Sequence, residues 1–219
     1  MLNWQKKMIL IYLYHQINQK KIFENHLSFL ASKYKIILPQ EKSSFFKISV
    51  CLSFDDATED FYHSVYPLLK KYQAKALLAV PVKFIEKKGY CTWEQIIEMH
   101  NSPYVQIASH SFSHVNLLDK DVDLDLELKT SKRILEEKLN GEISTFVYPY
   151  GKMNRKLQKE VKKYYKYVMR IGSAAQFSWK QLLYRIPSDD FLNQNCRHAK
   201  LIKYITLPKN VLKTIKKMR

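Results

Sequence analysis

Apolar and polar positions along this chain fall into two alternating periods, and the switches between them predict its elements. Residues 8–14 (Met-Ile-Leu-Ile-Tyr-Leu-Tyr) form an unbroken apolar run, the pattern of a strand covered on both faces. Phe23, Leu27, Leu30 and Tyr34 then recur at helical spacing. Residues 48–54 read as a second strand that ends at two aspartates, and Phe61, Val65, Leu68, Leu69 and Tyr72 share one face of the helix after it. A third strand spans 76–80. Thr92 and Gln95 have the spacing of a capping box, opening a helix that carries Trp93, Ile96, Ile97 and His100. A fourth strand over 104–108 ends at Ser109-His110, and a long helix over roughly 124–139 stops at Asn140-Gly141. Residues 145–148 form a strand ending at Pro149-Tyr150-Gly151; a helix over 156–164 and strands over 167–171 and 183–186 follow.

Repeated βα units imply a parallel sheet. Three polar signatures sit at the C-terminal ends of successive predicted strands: Asp55-Asp56, His110 with His114, and Tyr148 to Gly151. In a (β/α) barrel that end is the rim where catalytic groups converge. No linker divides the pattern, so the 219 residues read as one domain with a basic helical tail from about residue 207.

Composition changes this picture little. The formal charge of +17 invites an anionic partner, but the lysines are scattered and do not form a stripe with interleaved aromatics, so no specific nucleic acid is expected. The basic tail (Lys213, Lys216, Lys217, Arg219) allows a peripheral contact with an anionic membrane surface. Cys51, Cys91 and Cys196 are odd in number and far apart, which excludes a disulfide framework or a Cys-rich zinc site. Lys6-Lys7 before the first apolar run resembles a short signal peptide. The run ends in His15, Gln16 and Asn18 with no small-residue cleavage site, so a buried strand and a cytoplasmic or membrane-peripheral location are expected.

The chemistry lies in the polar signatures. Two adjacent acids just past a buried strand can divide labour, one binding a cation and the other acting as a base. The same pair would also serve as a helix N-cap. His110 and His114, four apart, would share one helical face and grip a single ion; two His and one carboxylate form a ligand set suited to zinc with an open position. The Pro-Tyr-Gly turn fixes backbone whose N–H can face a developing oxyanion, or is simply a strand-ending turn.

Together these segments resemble the polysaccharide deacetylases (the NodB-homology domain, carbohydrate esterase family 4). Ser53 to Asp56 is similar to the family's first motif, His110 to His114 to its His-x-x-x-His motif, and Tyr148 to Gly151 to its third motif in the "YPYG" form. Tyr14-His15 resembles the opening of the shorter bacterial members. The resemblance covers roughly residues 8–190. It implies a deformed (β/α) barrel that removes acetyl groups from N-acetylated sugars of a glycan, with a divalent ion, expected to be zinc. By the same resemblance Asp55 is the catalytic base, Asp56, His110 and His114 hold the metal, and the Tyr150 N–H stabilises the tetrahedral intermediate. Three positions depart from the family: Ala57 stands where Gly is usual, Val147 where Arg is common, and the late Leu-x-His motif that carries the general acid has no close copy. Arg185 in Tyr184-Arg185-Ile186-Pro187 is the candidate for the missing positive charge, and His15, His63 and His198 are candidates for the acid. The alternative is a catalytically impaired, sugar-binding barrel of the same fold.

Overall fold

The computed structural model describes residues 8–41, 49–172, 176–177 and 182–188. The basic tail, Cys196 and His198 lie outside the described residues.

Seven parallel strands close into a barrel. In chain order the strands are β1 (Met8–Tyr14), β2 (Lys35–Ile36), β3 (Ser49–Phe54), β4 (Ala76–Val80), β5 (Val105–Ser109), β6 (Thr145–Val147), β7 (Tyr167–Ile171), β8 (Gln176–Phe177) and β9 (Leu182–Pro187). The ring runs β3-β4-β5-β6-β7-β9-β1 and returns to β3, while β2 extends β3 in parallel and β8 pairs antiparallel with β1. The expected (β/α) barrel is thus the fold. Helices α1 (Lys20–Lys33), α2 (Tyr66–Lys71), α3 (Trp93–Asn101), α4 (Ser131–Leu139) and α5 (Arg155–Val161) surround it. Both α2 and α4 are entered through π-helical turns, Phe61–Val65 and Asp125–Thr130.

Because successive strand residues point to opposite faces, each strand supplies two cores. One face packs against helices: Leu10, Tyr12, Val50, Leu52, Phe54, Leu78, Ile107 and Phe146 belong to the larger cluster with Phe23, Leu27, Leu69, Ile96 and Leu135. The other face fills the barrel interior with smaller or aliphatic side chains: Ile9, Ile11, Cys51, Leu77, Ala79, Ala108, Val147, Met169 and Leu183. This double burial is why the strands read as continuous apolar runs.

Local signals account for the element ends. The Thr92–Gln95 capping box forms with both hydrogen bonds present. Helix α4 stops at Asn140, which itself takes the left-handed conformation (φ +48°), one residue before the glycine.

Candidate active site

The interior face ends in polar residues at the C-terminal rim. On β3 the series Cys51, Ser53, Asp55 continues inward, on β9 Leu183 is followed two residues later by Arg185, and on β5 Ala108 is followed by His110. Strand parity alone therefore brings Asp55, Arg185 and His110 towards one another.

Asp55 and Arg185 are both buried and form a bidentate pair, Nη1 to Oδ1 at 2.5 Å and Nη2 to Oδ2 at 2.9 Å. Arg185 Nη1 also donates to Ser53 Oγ at 3.1 Å. Burial pushes the Asp55 carboxyl up, but Arg185, His110 and His15 outweigh it and hold the group below the usual carboxylate range. A buried ion pair persists only with such geometry and extra hydrogen bonds. Val147 lines the barrel interior on β6, and the nearby positive charge comes from β9 through Arg185.

His110 is anchored from the opposite side. Its Nδ1 lies 2.8 Å from the Val147 carbonyl oxygen, which can only accept, so Nδ1 carries the proton and Nε2 presents a lone pair. Burial pushes this imidazole's pKa down to about 4, against the attraction of Asp55, so it is neutral at pH 7. His110 Nε2 lies 3.1 Å from His114 Nε2, 3.6 Å from Asp55 Oδ2 and 3.8 Å from Asp56 Oδ1; His114 Nε2 lies 3.4 Å from Asp56 Oδ1.

The two histidines do not share a helical face as their spacing suggested. Residues 110–114 form a loop in which Ser111 (φ +68°) and His114 (φ +58°) are left-handed, and His114 N–H donates to Ser111 Oγ at 3.0 Å. The loop turns the chain back on itself, so the rings converge edge to face with centroids 4.6 Å apart. Nor do the aspartates cap a helix, since the helical residues that follow begin at Glu59, three positions beyond Asp56. Asp56 (φ +71°) and Ala57 (φ +53°) make a left-handed step that turns Asp56 towards the histidines. Where the family usually has glycine, Ala57 therefore holds the same kind of turn at some conformational cost.

The donor set fits a divalent cation. One atom each from Asp56, His110 and His114 lies within 4.8 Å of the others. Among the described residues Asp56 Oδ1 is buried without a hydrogen-bond partner, an orphan that a cation would satisfy. Neutral nitrogens and a carboxylate oxygen are the ligand types that zinc and its neighbours take.

Tyr150 is also left-handed (φ +56°) in the short turn Pro149–Gly151; its ring is 57% exposed and meets His114 edge-on at 4.8 Å. The following Gly151 (φ +65°) is required, because a Cβ there would stand 2.9 Å from the Ile171 side chain. Of the candidate acids, His15 is half-buried at the end of β1, next to Asp55 in the barrel, whose N–H bonds Tyr14 O at 3.0 Å. His63 is exposed on the turn before α2, packed edge-on against Tyr62. Sequence reading assigned no role to the Ser53 side chain, the Val147 carbonyl or Glu127, whose carboxylate accepts from the Phe112 and Ser113 amides between the histidines. The first could have been found from strand parity; the other two act only through tertiary contacts.

A closed parallel barrel with acids, histidines and an arginine gathered at its C-terminal rim defines a class, the (β/α)-barrel enzymes, whose polar groups converge at that mouth. Within that class, residues 42–168 match the polysaccharide deacetylase family, and the chain belongs to it. YxkH of Bacillus subtilis (strain 168), named as a polysaccharide deacetylase, is 30% identical over 169 residues, covering 70% of this chain and 60% of that protein. The poly-beta-1,6-N-acetyl-D-glucosamine N-deacetylase of Staphylococcus aureus (strain MRSA252) is 24% identical over 151 residues, 63% of this chain and 52% of its own length. The chain thus spans little more than half the length of these relatives. The fold is also that of the Streptococcus pyogenes deacetylase PplD, solved in complex with acetate (TM-score 0.76, 24% identity, 92% of this chain and 99% of that one). IcaB from Ammonifex degensii is similar as well (TM-score 0.76, 20% identity, 86% and 95%).

Proposed function

We propose that this chain is a metal-dependent deacetylase that hydrolyses the acetamide of an N-acetylated sugar within a polysaccharide. The observation that carries the reading is the convergence of Asp56, His110 and His114 beside a carboxylate, Asp55, that is kept ionised. Asp56, His110 and His114 would hold a divalent ion, zinc by its ligand chemistry, which supplies carbonyl polarisation and an acidified water when bound. Asp55 accepts the proton of the attacking water; Arg185 fixes its two oxygens and keeps it charged in a buried setting. The Tyr150 N–H would donate to the oxyanion that develops on the former carbonyl. His15, beside Asp55, returns a proton to the sugar nitrogen as the C–N bond breaks, giving acetate and the free amine. The substrate class, a polymer of N-acetylated amino sugars, is drawn from the staphylococcal relative, whose name specifies poly-beta-1,6-N-acetyl-D-glucosamine.

The test is acetate release by metal-stripped protein, with and without added zinc or cobalt, from chito-oligosaccharides, poly-β-1,6-N-acetylglucosamine and O-acetylated controls. Metal-dependent release from an N-acetylated substrate, abolished in Asp55→Asn, is the expected result. No release from any substrate with metal bound would favour a barrel that only binds sugars.

A further inference from the structure

Glu127 is a buried carboxylate, 3% exposed, outside the set that touches the cation site. It sits in the π-helical turn Asp125–Thr130 that leads into α4, and it reaches across to the loop between the two histidines. Its Oε2 accepts from the backbone N–H of Phe112 at 2.9 Å and of Ser113 at 3.0 Å, and the Ser113 hydroxyl donates to its Oε1. Other backbone groups of the loop are tied elsewhere. His110 N–H donates to Val80 O, while the carbonyls of Ser111 and Phe112 accept from Val82 and Lys83 N–H. Glu127 is thus the acceptor for two consecutive loop amides, those of Phe112 and Ser113, and one side chain pairs both.

We infer that Glu127 is the positioning residue that sets the spacing of His110 and His114, so that cation affinity depends on a carboxylate that never contacts the cation. The inference rests on the metal reading given above. A loop with two left-handed residues, Ser111 and His114, has little intrinsic preference for its conformation. Hydrogen bonds from two consecutive amides to one side-chain oxygen offset that cost and fix the turn before any ion arrives. Without them the loop would relax, and the two Nε2 atoms would lose the 3.1 Å approach that lets them act together. Groups behind metal ligands commonly govern affinity by ~10–100-fold.

The experiment titrates cobalt(II) into metal-stripped wild type, Glu127→Gln, Glu127→Asp and Glu127→Ala, and follows amide hydrogen exchange of Phe112 and Ser113 in the metal-free proteins. Glutamine keeps the reach and an acceptor for both amides, so it should bind cobalt within about threefold of wild type. Aspartate and alanine should bind about 10–100-fold more weakly, and the two loop amides should lose protection while amides of β3 and β5 keep theirs. If Glu127→Ala does not fold, the contrast between aspartate and glutamine decides. Folded Glu127→Asp that binds as tightly as wild type, with Phe112 and Ser113 still protected, overturns this inference alone. A wild-type chain that binds no cobalt overturns the metal reading, and this inference with it.

Discussion

At the scale of single residues, the site depends on one salt bridge whose partners are 130 positions apart. Removing Arg185 would leave the Asp55 charge buried and unpaired, so Arg185→Ala should cost about 3–5 kcal/mol in a urea unfolding titration. Arg185→Lys should stay folded, yet it cannot match two carboxylate oxygens at once; acetate release should fall by about 10–100-fold. Wild-type turnover in Arg185→Lys would mean that Asp55 needs only a nearby charge. His110 makes a second prediction, for the metal-free protein. Its folded pKa is lowered, to about 4, whereas an unfolded histidine titrates near ~6.5. Between those values the unfolded chain binds more protons than the folded one, so stability is present above about pH 6.5. It is lost as pH falls towards 4. Urea midpoints across that window should show the slope in the metal-free chain and a shallower one in His110→Asn.

At the scale of elements, the sequence was most legible where a residue's partners were near in the chain. The Thr92–Gln95 box formed as read, because both bonds are local. The helix over 124–139 formed too, but Asp125–Thr130, the stretch that carries Glu127, is π-helical, a distortion that leaves no periodic trace. The two-residue strands β2 and β8 went unread because each exists only by pairing with a neighbour. The histidine spacing pointed to a pair that the structure does bring together, but through the wrong element: the loop that joins them is held by distant groups, and i, i+4 arithmetic cannot see those. At the end of α4 the left-handed residue is Asn140. Asn140→Ala should lower stability by about 1–2 kcal/mol, while Asn140→Gly should not, as melting curves of the two variants would show.

At the scale of the whole molecule, the rim was legible because apolar runs ending in charged residues mark the mouths of parallel strands, and the alternation within each run tells which side chains face inward. What the pattern could not give was the order of strands around the ring. That order has a consequence for how the protein comes into being. The first strand, β1, is seated between β3 and β9, with Tyr12 opposite Ile186. During synthesis, therefore, the opening segment must wait for one of the last described strands before the ring can close, and Asp55 waits with it for Arg185. Until residue 185 has left the ribosome the Asp55 carboxylate lacks its arginine partner. A nascent chain can build its helices and the β3 to β7 arc, but it carries no working site. Competence arrives late and all at once, so partial products of translation should be inert rather than feebly active.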